Sequence, residues 1–424
     1  MIRLDESYIS EYVSESHLEQ LEKQANLAYD ELWKSDVHKG GKGWLHWPVE
    51  DHNELLEKVE QIARHFRELS SLTVVIGIGG SYLGAKAAVS MMKSPFLSTI
   101  GDGVQIVFAG HQLSAIYMGK LLELMDKHEV SLIVVSKSGG TLEPSAAFHV
   151  LRDYLEKRYG DAANDRICAI TDPDKGALHD YASQKGYKML PIPTDIGGRY
   201  SVLTAVGLLP MRLAGIDIVK VLEGAKHAHE VYKENSLSNP AIRYAVYRHV
   251  LYQKGFAVEA LITYEPQIAD FAMWWQQLFG ESQGKDGIGL FPTMLQYTTD
   301  LHSMGQYVQD ARKIMIETVL DVSIEDEPNS CVVPQSVDST NRHLAGQNLA
   351  DMQKVAVESV AQVHSKGGVP NILLRASGNK EDLFGELVFF FETACALGGY
   401  LLGIHPFNQP GVEGYKQEIM RRLK

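Results

Sequence analysis

The stretch "SSLTVVIGIGGSYLGAKAA", Ser70 to Ala88, decides how this chain is read. Leu72 to Ile76 is an apolar run of β-formers that drives into Gly77, Gly79 and Gly80, then Ser81, and leaves as an alanine-rich helix. Strand, glycine turn and helix make the local architecture of a phosphate cradle, because free N–H groups at a helix start point at an anion. Two nucleotide signatures fail against it. The dinucleotide pattern G-x-G-x-x-G needs a third glycine where Tyr82 stands. The P-loop pattern fits from Gly79 to Gly84 but continues Ala85-Lys86-Ala87, one residue out and without the magnesium hydroxyl. What remains is a phosphate site of another kind, or a glycine turn that only lets a helix pack on a sheet. The stretch alone leaves both open.

Outward from this point the chain alternates. "VQIVFAG" (Val104 to Gly110), "SLIVVS" (Ser131 to Ser136) and "RICAIT" (Arg166 to Thr171) are short apolar runs without alternation, separated by helical patterns. Buried parallel strands look like this, and the series reads as a doubly wound α/β unit. A helical, charged stretch from Val219 to Tyr252 leads to a second series. Phe256 to Tyr264, Lys313 to Val322 and Pro370 to Ala376 read as strands. Ile268 to Ser282, Ser339 to His364 and Leu383 to Ile404 read as helices. Upstream, Leu18, Leu21, Ala25, Ala28 and Leu32 form one apolar helical stripe. The pattern breaks at "DVHKGGKGW", residues 36–44, and a helix from Glu54 to Arg67 leads into the opening strand.

Composition narrows the class. The chain has 424 residues, 45% apolar and 22% charged, enough for two or three domains with large cores. A formal charge of −13 argues against a nucleic-acid-binding surface. Cys168, Cys331 and Cys395 form neither a disulfide framework nor a metal-binding spacing, and fit a reducing compartment. The start, "MIRLDESYIS", lacks the apolar core of a secretion signal, so a cytoplasmic protein is expected. Leu383 to Ile404 is long enough to span a membrane, but Glu386 and Glu392 lie inside it. A buried helix of a large core is the expectation there.

Ligands of such sheets bind where loops leave the carboxyl ends of strands. After the third strand comes "SKSGGTLEPS": Ser136, Lys137, Ser138, two glycines and Thr141, then a helix. Three hydroxyls, an ammonium and helix N-terminal N–H groups make a seat for a phosphomonoester, although Ser/Thr capping turns are common at this position. In "PTDIGGRYSVLTAVGL", Gly197 and Gly198 bring backbone close to something, and Arg199 follows as a fixed cation.

"DIGGRYSVLTAVG" and "GIHPFNQPGVEGYK" resemble the two signature regions of the glucose-6-phosphate isomerase family, and "GIGGSYLG", "SKSGGTLE" and "GESQGK" match further blocks in the right order. The resemblance runs from about Gly77 to Lys416, and the short chain is similar to the bacterial form. It implies two sugar isomerase domains, each a five-stranded parallel sheet between helices, with helical segments at both ends. The implied division is 1–55, 56–215, a helical connection 216–252, 253–404 and 405–424. It also implies interconversion of glucose 6-phosphate and fructose 6-phosphate, in glycolysis and gluconeogenesis, without metal, nucleotide or other cofactor.

By the same matching, Ser81, Ser136, Lys137, Ser138 and Thr141 hold the phosphate, and Gly80 is a substrate contact. Moving a carbonyl between C1 and C2 needs a base that takes a proton from one carbon and returns it to the other, and Glu281 matches that base. Arg199 matches the cation beside the enediolate. Gln277 lies one helical turn before Glu281. His302 matches the residue that opens the sugar ring, Lys416 the lysine that assists at the ring oxygen, and Gln409 a substrate contact. The resemblance further implies a homodimer in which His302 enters the partner's site. Two other readings stay open: an isomerase acting on mannose or amino-sugar phosphates, and a non-catalytic sugar-phosphate sensor lacking the acid/base residues.

Overall fold

A computed structural model describes residues 2–36, 40–93, 104–325 and 330–423. Residues 37–39, part of the predicted break at 36–44, lie outside them. Within the described residues two five-stranded sheets form. The first contains β2 (Leu72–Ile76), β3 (Gln105–Ala109), β4 (Val130–Val135), β5 (Ile167–Thr171) and β6 (Lys188–Pro191), in the order β3-β2-β4-β5-β6. All its pairings are parallel. Helices cover both faces, which is why its strands read as unbroken apolar runs. Val75, Ile133 and Ile170 pack toward Ala63, Phe66 and Leu208. Val74, Leu132, Val134 and Ala169 pack toward Leu121, Phe148 and Leu151 on the other side.

The second sheet contains β1 (Ile2–Asp5), β7 (Val258–Thr263), β8 (Phe291–Gln296), β9 (Met315–Ile324) and β10 (Asn371–Gly378). Its order is β1-β10-β9-β7-β8. Four strands are parallel, and β1 joins antiparallel along the free edge of β10. The two expected doubly wound sheets are therefore present, and the second is finished by a strand from the chain's start. That strand lies within 1–55, which was expected to be a helical segment. Asp5 fastens this strand to β10 through an ion pair with Arg375 (3.1 Å).

The helices follow the sequence with one clear shift. Leu18, Leu21, Ala25, Ala28 and Leu32 form the buried stripe of Glu15–Trp33, as their spacing predicts. The helix expected from Ser339 starts only at Leu349 and runs to Lys366. Gly346 stands at a φ of +74°, outside helical backbone, and Asn348 caps the true start by accepting the N–H of Ala350 (2.9 Å). Lys380–Leu401 is the one helix among the described residues long and apolar enough to cross a membrane, and 94% of its apolar window is buried inside the protein. It packs on the helices Ile218–Tyr232 and Pro240–Gln253, and its aromatic residues belong to a core that joins the inner faces of both sheets.

Candidate active site

Three loops leave the carboxyl ends of β2, β4 and β5 and wall one side of a cleft of about 970 Å³. In the first, Gly79 has a φ of +57°, and a Cβ there would lie 2.6 Å from Gln277 Nε2. A Cβ on Gly80 would lie 2.1 Å from the carbonyl oxygen of Gly198. These glycines let the loop press against the turn before Arg199, while Ser81 lines the cleft beside them. The packing role of the glycine turn is thus plain in the backbone, and a ligand-facing surface comes with it.

The second loop is Ser136 to Thr141. Ser136 is buried and its Oγ accepts the N–H of Gly139 (3.0 Å), while Ser138 Oγ accepts that of Gly140 (3.2 Å). Thr141 is the N-cap of Leu142–Tyr159, yet its hydroxyl makes no capping bond. A free hydroxyl beside uncapped helix N–H groups is an anion-ready arrangement. Lys137 Nζ donates to the carbonyl oxygens of Thr194 (2.7 Å) and Pro193 (3.3 Å), and desolvation holds its pKa below the usual lysine value.

The opposite side of the cleft is built around Glu281, on the last turn of Ala269–Gln283. Gln277 Nε2 donates to its Oε1 (3.1 Å), one turn back on the same face. Gln409 Nε2 donates to its Oε2 (2.6 Å), as does Arg199 Nη1 (3.3 Å). The carboxylate is about one-third exposed, so it is fixed by three donors yet open to the cleft. Arg199 itself is 1% exposed. Its Nε donates to Ser282 Oγ (2.8 Å), and its Nη2 to the carbonyls of Pro406 (2.7 Å) and Asn408 (3.4 Å). One guanidinium therefore ties together the end of the Glu281 helix and the C-terminal stretch carrying Gln409. Just beyond, desolvation, with Arg199 adding like charge, pushes Lys285 down to about 8, and its ammonium donates to the His405 carbonyl.

Eleven of the twelve residues named from the sequence line this single cleft: Gly80, Ser81, Ser136, Lys137, Ser138, Thr141, Arg199, Gln277, Glu281, Gln409 and Lys416. Lys416 stands at the rim on Glu413–Leu423, half exposed, with its ammonium 3.2 Å from Glu413 Oε1. His302 is the exception. It is exposed on the short turn Thr299–His302 after β8 and does not line the cleft of its own chain. A smaller hollow of about 200 Å³ lies behind the Ser136 loop, lined by Phe148, Leu178 and Tyr181, and has none of these acid or base groups.

Sequence reasoning missed two contributors. Ser282 holds Arg199, but a lone serine beside a glutamate carries no pattern. The β5 loop brings Asp172 and Lys175 to the cleft. The rule that directed attention to the ends of β2 and β4 applied equally to β5.

Residues 49–317 match the sequence profile of phosphoglucose isomerase. A glucose-6-phosphate isomerase from Caldanaerobacter subterraneus subsp. tengcongensis is 43% identical, over 100% of this chain and 95% of that one. One from Staphylococcus saprophyticus is also 43% identical, over 100% and 96%. Among solved structures, a hypothetical protein from Thermus thermophilus superposes with a TM-score of 0.90, at 25% identity and full coverage of both chains. A glucose-6-phosphate isomerase from Chlamydia trachomatis shares the fold at a TM-score of 0.79 and 22% identity, over 97% of this chain and 86% of that one. Two relatives matched from end to end, and a profile that spans both the anion loops and Glu281, leave one conclusion: the chain belongs to the phosphoglucose isomerase family.

Proposed function

We propose that this chain interconverts glucose 6-phosphate and fructose 6-phosphate in the cleft, with Glu281 carrying the proton between C1 and C2. One observation carries the reading. A carboxylate held by Gln277, Gln409 and Arg199 faces, across one cleft, the hydroxyls and helix N-terminus of the Ser136–Thr141 loop. The phosphate sits in that loop, with Gly80, Ser81 and Lys137 beside it, and the sugar reaches toward Glu281.

From the aldose, Glu281 takes the proton on C2. Electrons move to O1, the proton of the O2 hydroxyl passes to O1, and a cis-enediolate with its charge on O2 forms. Returning the carried proton to C1 yields the ketose. Negative charge on the enediolate oxygens is met by Arg199, which is already desolvated and therefore strong at short range. Gln277 and Gln409 aim the carboxylate, and these steps use protein acids and bases alone. The sugar arrives as a closed ring, so a proton must first move between the C1 hydroxyl and the ring oxygen. His302 performs that step with help from Lys416 at the ring oxygen; imidazole suits it because its ordinary pKa lies near neutrality.

His302 does this from a second copy of the chain. The support is its position: exposed, outside its own cleft, on a segment where Met304 and Tyr307 are also exposed. Symmetric dimers are the commonest oligomers and would repeat the contact twice. The setting is cytoplasmic, where glycolysis and gluconeogenesis use this reaction.

The test combines two variants. Glu281→Gln should lower kcat by about 10²–10⁴-fold while fructose 6-phosphate still binds. Refolded together with inactive His302→Ala, it should regain roughly a quarter of full activity, because about half the dimers are mixed and each has one intact site. Near-normal turnover of Glu281→Gln removes the base assignment. No recovery, with subunit exchange confirmed, means that both residues act within one chain. Fructose 6-phosphate assayed beside mannose 6-phosphate decides which sugar phosphate is preferred.

A further inference from the structure

The loop after β5, Asp172-Pro173-Asp174-Lys175-Gly176, has no role in the reaction as written above. Asp172 folds it: the buried carboxylate accepts the N–H groups of Asp174 (3.1 Å) and Lys175 (3.2 Å) through Oδ1. The loop is then stitched to the Ser136–Thr141 loop. Ala177 N–H donates to the Ser138 carbonyl (3.0 Å). Gly176 stands at a φ of +114°, and a Cβ there would come within 3.2 Å and 3.3 Å of the Ser138 and Lys137 carbonyl oxygens. Only glycine joins the two backbones this closely without strain.

This stitching places Lys175 next to the phosphate end of the cleft, which it lines. Its side chain is exposed and takes part in no hydrogen bond or ion pair among the described residues. Lys137 differs, because its ammonium already donates to two carbonyl oxygens. A phosphate monoester carries nearly two negative charges at neutral pH, and one lysine with committed hydrogens leaves part of that charge unmet. Lysine's long, flexible stem lets an uncommitted ammonium swing onto such an anion.

We infer that Lys175 is a second cation for the phosphate of the sugar substrate, reaching it from the β5 loop; this rests on the phosphate end assigned above. It is a substrate-binding residue and moves no proton. Binding of the anion, rather than the chemistry, therefore depends on it.

The experiment measures kcat and KM for fructose 6-phosphate and the inhibition constant of inorganic phosphate for Lys175→Met, Lys175→Arg and Ser136→Ala. Lys175→Met should raise KM and the phosphate inhibition constant together by about tenfold, with kcat within about twofold of the native chain. Lys175→Arg should restore both. The position is exposed, and a thermal unfolding midpoint confirms that each variant is folded. The proposal is overturned if KM and the inhibition constant stay unchanged in Lys175→Met, or if only kcat falls. Ser136→Ala separates two kinds of failure. Where it weakens phosphate inhibition and Lys175→Met does not, the phosphate loop stands and the Lys175 role falls. Where neither variant weakens it, the phosphate end itself has been placed wrongly.

Discussion

Inside the first sheet the buried strand residues are apolar or carry only a thiol or hydroxyl, as at Cys168, Thr73, Ser131 and Thr171. The second sheet buries Glu259 and Glu317 within its strands, together with Thr263, Thr318 and Asn371. Each carboxylate there is partnered. Glu259 accepts from Arg248 Nε (2.6 Å), Tyr244 OH (2.7 Å) and Thr318 Oγ1 (2.8 Å). Glu317 accepts from the Tyr297 hydroxyl and lies 3.0 Å from His364 Nδ1. The two halves thus use polar groups differently. In the first half they stand in loops beyond the strands, free to meet a ligand. In the second they are part of the interior, and they end beside the residues proposed for the reaction. Arg248 also donates to Gln283 (2.8 Å), two residues past Glu281, and Tyr297 begins the segment that leads to His302.

If interior charge holds the second half together, breaking one pair there should cost more stability than any change in the first-half loops. Glu259→Gln leaves the 3% exposed Arg248 guanidinium without its counter-charge. Removing one partner of a buried pair typically costs about 3–5 kcal/mol, whereas replacing both partners by apolar groups is often neutral or stabilising. Urea unfolding should therefore show a large loss for Glu259→Gln and a partial recovery for the double variant Arg248→Met, Glu259→Leu. A loss below about 1 kcal/mol for the single variant would erase the distinction between the halves.

Thr141 tests the other side of the comparison. An N-cap threonine ordinarily contributes about 1 kcal/mol through its capping bond. Here that bond is absent, so Thr141→Ala should shift stability by no more than about 0.5 kcal/mol. Its free hydroxyl should instead matter to the ligand. A hydrogen bond to a charged group is worth about 1.5–3 kcal/mol, so KM for fructose 6-phosphate should rise accordingly. A destabilised variant with unchanged KM would make Thr141 a structural cap after all.

The same contrast explains what could be read from the sequence. The central strands of the first sheet are almost wholly apolar, interrupted only by Thr73 and Ser131, and were legible, as was the strand that contains Glu259. β8, "FPTMLQ", went unseen because Pro292 and two polar residues interrupt it, which an edge strand tolerates. β6 is a four-residue edge strand ending in Pro191, and β1 is four residues at the chain's start, both too short to show a period. The site was legible where several residue types met in one loop, as in Ser136 to Thr141. Ser282 and Lys175 are ordinary residues in sequence, and only the fold gives them neighbours. The exposure of His302 depends on how β8 ends at the sheet edge, which no local spacing encodes.

Glu392 sharpens the comparison through the pH dependence of stability. Like Glu259 it is buried, at 1% exposure, but it lies on Lys380–Leu401 and its Oε1 has no hydrogen-bond partner among the described residues. Burial without a compensating charge lifts its pKa well above the ordinary 4.5. The folded chain therefore keeps a proton that the unfolded chain releases once the pH passes that ordinary value. More protons bound in the folded state mean that stability falls as pH rises. The contribution is complete below the unfolded pKa and drains away above it. Glu392→Gln removes the titrating group and should not follow this trend. The stability of the variant relative to the native chain should grow by up to about 1.4 kcal/mol per pH unit from pH 5 upward, measured by urea unfolding at matched ionic strength. Because both side chains leave polar atoms in the same apolar surroundings, a constant difference is the informative alternative. It would mean that Glu392 ionises in the folded chain as it does in the unfolded one, and that the helix between the two sheets carries a charge with a partner, as Glu259 does.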